Sequence, residues 1–365
     1  MVDEGKRTLR PVVNWLILGC AMIAVMVSIG GITRLTGSGL SITEWQPILG
    51  AIPPTNEVQW EEAFAKYKQI PQYELVNAHI GLHEFKVLYF WEWLHRNWGR
   101  LMGLVFFVPF VWFWRKGLLK GWLMRRSWSI LIGGGLVGAL GWFMVVSGLE
   151  QNVRVSHFRL AIHLCAAFAL FCLVLWTVFD IRQGRRSYTG DGTPAGKWSR
   201  WLLVLLVVQI VFGAFTAGLD AGRIYPTWPL MAGQFLPDNL RALIGDDGLW
   251  YSLVNHKDGV QFFHRNFAWV VAAAITWFGY VNRSNAALKG GDRLLFLAVF
   301  LQITLGVLAL VSQVWISLGV LHQLGALVLL MALLNVLHRT GRPLPAEGVG
   351  QAADVVADAR GHRGQ

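Results

Sequence analysis

The chain has 365 residues, 55% hydrophobic and only 15% charged, with 19 tryptophans. A soluble protein of this length carries about 25% charge, so the composition excludes an ordinary soluble domain and reads as a polytopic helical membrane protein. The net charge of +11 matters for where Lys and Arg sit along the chain, and nucleic-acid binding is the wrong inference from it.

The opening stretch MVDEGKRTLR carries two acids and resembles neither a transit peptide nor a cleaved signal. Eight apolar runs follow, predicted at about 12–33, 95–114, 128–147, 158–179, 201–219, 262–281, 294–312 and 318–337, each near the roughly 20 residues that span a bilayer core. Lys and Arg concentrate before the first run and in the links 2–3, 4–5 and 6–7: Lys6, Arg7 and Arg10, then Arg115 to Arg126, Arg182 to Arg200, and Arg283 to Arg293. The 3–4 link holds only Arg154 and the 7–8 link none. Both termini are therefore predicted to face the cytoplasm. The long loops 34–94 and 220–261 then face outward, and Gln59–Tyr67 reads as a helix lying on the surface. The three cysteines, Cys20, Cys165 and Cys172, all fall in apolar runs, which argues against a disulfide or a cysteine metal site.

An internal repeat divides the chain. Trp45 answers Trp228, His95-Arg96-Asn97 answers His264-Arg265-Asn266, and His163 answers His322, at offsets of 183, 169 and 159 residues. The expected fold is all-α, with eight transmembrane helices as two pseudo-twofold-related four-helix bundles. The expected parts are an N-terminal segment (1–11), a first bundle (12–180), a linker (181–200), a second bundle (201–338) and a disordered tail (339–365).

Four histidines, His95, His163, His264 and His322, each fall near the start of an even-numbered run. All four then enter from the same side at similar depth. Four residues on, one turn deeper on the same face, stand Gly99, Ala167, Ala268 and Ala326. Two imidazoles at one level on parallel helices, with small neighbours, suit the two axial positions of a haem iron. Such residues also serve plain helix packing. Zinc fits less well, because each half offers only two placed nitrogens. The pockets differ in one respect: Glu92 precedes His95 by three residues, and the matching residue before His264 is Gln261. A carboxylate beside a ring edge can take a proton or stabilise a developing cation. The N-terminal pocket is thus expected to do chemistry and the C-terminal pocket to hold or pass electrons. The plainer alternative is that Glu92 only pairs with Arg96 or Lys86. Arg96 and Arg265 either meet haem propionates or snorkel to headgroups. His79 and His83 are an exposed pair with weak metal-binding potential, and His157, His256, His338 and His362 carry no argument.

The stretches GGITRLTGSGLSITEW (30–45), EFKVLYFWEWLHRNWGR (84–100), HFRLAIHL (157–164), FFHRNFAWV (262–270) and LHQLGAL (321–327) resemble haem A synthase of the type shared by alphaproteobacteria and mitochondria. The resemblance runs over nearly the whole chain except the tail. It implies an eight-helix enzyme of the bacterial cytoplasmic membrane that oxidises a methyl group of haem O to a formyl group, giving haem A for terminal oxidases. It implies substrate haem at His95 and His163, haem b at His264 and His322, and a catalytic Glu92. Some members carry a cysteine pair in the first outer loop; this chain has none. The implied partners are haem O, an electron donor or acceptor, membrane lipid, a docking haem O synthase and a second copy of the chain. A di-haem b-type electron carrier and a haem transporter or chaperone without turnover are the competing readings.

Overall fold

The computed structural model describes residues 9–44, 49–150 and 155–345. Trp45, Arg154, Lys6, Arg7, His362 and the tail from 346 lie outside the described residues. The helices are α1 (Arg10–Leu35), α2 (Glu57–Tyr67), α3 (Leu82–Arg115), α4 (Gly121–Glu150), α5 (His157–Gln183), α6 (Pro194–Gly218), α7 (Asp238–Asp247), α8 (Leu249–Asn255), α9 (Lys257–Val281), α10 (Gly291–Val311) and α11 (Ile316–Arg339). Two short strands, β1 (Arg186–Gly190) and β2 (Gly341–Pro343), pair antiparallel.

Local chemistry sets the helix starts. Pro194 stands in the first turn of α6, where its missing N–H costs nothing, and Thr193 Oγ1 accepts from Gly196 N at 3.0 Å. Asn56 caps α2 in the same way, accepting from Gln59 N at 3.0 Å. The side chain of α2 residues Phe64 and Tyr67 packs with Leu40, Ile70 and Phe85 in a small core of its own.

Among the described residues, six helices are long and apolar enough to cross a membrane: α1, α4 (as Gly121–Val145), α5, α6, α10 and α11. The chain is a multi-pass membrane protein. Helices α3 and α9 are comparably long, but each carries a His-Arg-Asn cluster that lowers its hydropathy. Helix packing is cyclic. Helix α1 touches α3 and α5, and α4 touches the same two; α6 touches α9 and α11, and α10 touches the same two. The two rings meet through α1–α11, α5–α6 and α5–α11. One large apolar core runs through both, including Leu16, Phe171, Leu206, Leu295 and Leu333.

The observed elements differ from expectation in two places. Helix α3 begins at Leu82, well before the apolar run predicted at 95. The polar stretch before that run stays helical because Phe85 is buried in the small core under α2 and Glu84 returns to Gly81 N at 3.0 Å. Glu92 and His95 therefore sit about three turns inside α3 and not at its mouth. Second, the linker and the start of the tail are not independent: β2 pairs with β1, and Arg200 Nη2 donates to Leu337 O at 3.1 Å. Both segments leave helices at the same end, and pairing satisfies backbone groups that would otherwise lack partners.

Candidate functional site

Helix α3 supplies Glu92 and His95, α5 supplies His163, α9 supplies Gln261 and His264, and α11 supplies His322. Each histidine lies against a glycine of the adjacent helix. A Cβ on Gly30 (α1) would stand 3.0 Å from His95 Cε1, and one on Gly141 (α4) 3.0 Å from His163 Cε1. On Gly213 (α6) it would stand 3.1 Å from His264 Cε1, and on Gly306 (α10) 2.8 Å from His322 Cε1. In all four, the Nδ1–Cε1 edge of the ring faces the glycine. Any larger residue would push the ring away. Gly30 and Gly213 are 183 residues apart, the offset of the two loop tryptophans.

The His264 and His322 ring centres are 6.3 Å apart, with planes at 86°. Two metal–imidazole bonds of about 2.0–2.1 Å, with each nitrogen about 1.1 Å from its ring centre, put collinear ligand rings about 6 Å apart. The spacing therefore fits one iron between them. His95 and His163 lie within electrostatic reach of each other. The Nδ1 atoms of His95, His163 and His322 are buried without a hydrogen-bond partner, and Gln209 Nε2 lies 3.1 Å from His264 Nδ1. Among the described residues no group of three or more His, Cys, Asp and Glu could hold a metal by itself. A donor set of two imidazoles per pocket, seated on glycine, fits haem and falls short of a protein-only metal site.

Glu92 is 3% exposed. Its Oε2 accepts from Ser41 Oγ and Ile42 N, both at 2.8 Å. Its Oε1 takes a fork from Arg96, Nη2 at 2.7 Å and Nε at 3.1 Å. Arg96 also donates to the carbonyls of Ile42 and Glu44 at 2.9 and 3.1 Å. Lys86 lies instead over the Trp60 ring. The second half repeats the clamp with different chemistry. Arg265 Nη2 donates to Thr227, Pro229 and Leu230 carbonyls at 2.8, 3.2 and 3.3 Å. Glu44 and Thr227 are again 183 residues apart. Gln261, 1% exposed, donates to Tyr225 O at 3.2 Å, and its Oε1 is buried without a donor. Where Glu92 receives the N–H of Ile42, Gln261 meets the carbonyl of Tyr225; the amide can donate and the carboxylate cannot. Nη1 of Arg265 is buried without a partner. Both arginines thus hold the adjacent loop to its helix, and Arg265 keeps one donor for an incoming acceptor.

The loop of the second half is fixed further at Tyr225, whose hydroxyl donates to Asp258 Oδ1 at 2.6 Å. Burial, then that carboxylate, pushes the Tyr225 hydroxyl up to about 12, so it remains a donor at neutral pH. A cavity of about 340 Å³ opens beside Arg96, lined also by Glu44, Lys66, Tyr89 and Arg100.

Other histidines separate from the site. His83 opens α3 while His79 lies in the turn before it. His157 packs on Phe215 and meets Val254 O at 3.2 Å. His256 pairs with Asp247 at 2.7 Å. His338 is buried at the far end, 3.1 Å from Asp180.

Sequence reasoning missed the four glycine seats, this Asp180–His338 pair, and Arg34. Arg34 donates to Ala217 and Gly218 carbonyls at 2.6 and 2.9 Å and pairs with Asp220 at 3.3 Å, joining the two helix rings. Only the repeat offset at Gly30 and Gly213 could have singled out a seat.

The family described as cytochrome oxidase assembly protein (COX15-CtaA) matches residues 13–334. A protein named heme A synthase from Flavobacterium johnsoniae is 40% identical over 343 residues, covering 92% of this chain and 100% of its own. Its namesake in Parvibaculum lavamentivorans is 43% identical over 330 residues, covering 90% and 94%. That of Caulobacter vibrioides is 44% identical over 338 residues, covering 92% and 97%. With a match from the first turn of α1 to within five residues of the end of α11, the chain belongs to the COX15-CtaA family of cytochrome oxidase assembly proteins.

Proposed function

We propose that the chain is a haem A synthase, an oxidoreductase that converts a methyl group of haem O, through a hydroxymethyl, to the formyl group of haem A for terminal oxidases. Relatives of that name align with nearly the full chain. The single observation that carries the chemistry is Glu92 against Gln261, one ionisable and one not, in pockets that share their glycine seats and arginine clamps.

The architecture proposed is eight membrane spans in two pseudo-twofold-related bundles, 12–180 and 201–338, with both termini cytoplasmic in a bacterial inner membrane. The two cyclic helix sets and the repeated arginine clamps support it. His95 and His163 are assigned to the iron of haem O, and His264 and His322 to that of a resident haem b. Haem b supplies one-electron redox chemistry when bound. Arg265 would meet a propionate through its unpartnered Nη1; Arg96 would hold the loop over Glu92. Glu92 would remove a proton from the reacting carbon or stabilise its positive charge. Its four donors fix the carboxylate in place and exclude water, so orientation is set before substrate arrives. A haem O synthase, a redox partner and a second copy of the chain are proposed partners.

Glu92→Gln gives the N-terminal pocket the residue of its counterpart. It is expected to keep bound haem and to accumulate haem O without haem A. Undiminished haem A in chromatographed extracts would remove Glu92 from the mechanism.

A further inference from the structure

The glycine seats define a register that shows what lies one turn deeper in each pocket. Four residues before each seat, on the same helix face and about 6 Å further in, stand Met26 (α1), Val137 (α4), Gln209 (α6) and Gln302 (α10). The first two belong to the His95–His163 pocket and the last two to the His264–His322 pocket. Side-chain contacts place Met26, Gln209 and Gln302 inward, and Val137 shares the helix face of its seat, Gly141. The Met26 Cε would lie 3.5 Å from a Cβ on Gly99, one turn beyond His95. Gln302 Oε1 crowds Gly325, three residues after His322 on α11. Gln209 Nε2 donates to His264 O at 3.0 Å. The Oε1 atoms of Gln209 and Gln302 are both buried with no hydrogen-bond donor. One pocket thus has an apolar floor and the other a floor of two amides with unanswered acceptors.

We propose that these four residues sort the two haems, with Gln209 and Gln302 barring an isoprenoid-bearing haem from the C-terminal pocket and Met26 and Val137 admitting it to the N-terminal one. The inference rests on the haem assignments proposed above. Haem O differs from protohaem by a long isoprenoid alcohol in place of a vinyl group. With the propionates toward Arg265 and its loop, that hydrocarbon runs toward the floor. Pressed against the two glutamines, it would keep their acceptors from water or any other donor, and unanswered buried acceptors are unfavourable. Against Met26 and Val137 it meets only apolar surface, and the thioether of Met26 adapts to irregular shapes.

The test uses full-length protein purified from cells that make both haems, with extracted haems separated by chromatography. His95→Ala with His163→Ala silences the N-terminal pocket, and the remaining haem should be protohaem. Adding Gln209→Met and Gln302→Val should raise the ratio of haem O to protohaem at least tenfold. The reciprocal set, Met26→Gln and Val137→Gln on His264→Ala with His322→Ala, should lower that ratio at least tenfold, so poor folding of one set leaves the other to decide. Haem O in the wild-type extract with unchanged ratios in both swaps would overturn the sorting alone. Haem in which neither histidine pair selects one pocket would overturn the pocket assignment on which it rests.

Discussion

At the scale of a residue, one methyl group probes the seats. In Gly213→Ala the new carbon would stand 3.1 Å from His264 Cε1, and the ring must tilt. Overpacking of this kind costs roughly 1–3 kcal/mol, about a 5- to 160-fold loss of haem affinity. Gly213→Ala should therefore release protohaem on dilution, measured by the Soret band, while haem O stays bound; Gly30→Ala should do the reverse. Equal retention by both would mean that the glycines serve helix packing alone. The histidines and their small neighbours four residues on were legible in the sequence because a helix repeats its face at that spacing. The seats were not, since 40 glycines give no sign of which helix faces which. Nor did spacing show that Glu92 would be sealed by Ser41, Ile42 and Arg96, since the first two come from another segment.

Elements are joined by polar contacts that a hydropathy pattern does not reveal. Asp180 of α5 accepts from His338 of α11 at 3.1 Å and from Arg186 N at 3.0 Å, and lies 3.6 Å from Arg126 of α4. Breaking a buried charge pair by removing one partner costs about 3–5 kcal/mol. Asp180→Leu should lower the thermal midpoint in detergent by several degrees, with haem composition unchanged. An unaltered midpoint would show that the cluster carries no stability. Arg34→Ala should cost less, about 1–2 kcal/mol, because the ion pair with Asp220 is partly solvated while the two carbonyl contacts at the end of α6 are lost. The outward extension of α3 escaped the sequence for a related reason. The apolar run marks where a helix meets lipid, whereas α3 continues under the cover of α2.

For the whole molecule, the Lys and Arg distribution predicts that a cytoplasmic reporter fused at either terminus will be active. Cysteines placed at Thr55 and Gly245, in the two long loops, should react with a membrane-impermeant thiol reagent added outside intact cells. Labelling only after lysis would invert the topology. The native Cys20, Cys165 and Cys172 lie within α1 and α5 and should stay unlabelled. The repeat was readable from matched histidines, yet its consequence was not. Two pockets share seats and clamps while differing at Glu92/Gln261 and at the floor.

The central claim is that each half grips one haem between two imidazoles. Haem stoichiometry and identity in the purified full-length protein and its four single histidine variants test it most directly. Two haems per chain are expected, with haem O or haem A lost from His95→Ala and His163→Ala, and protohaem lost from His264→Ala and His322→Ala. A single haem per chain, depleted alike by all four substitutions, would contradict it.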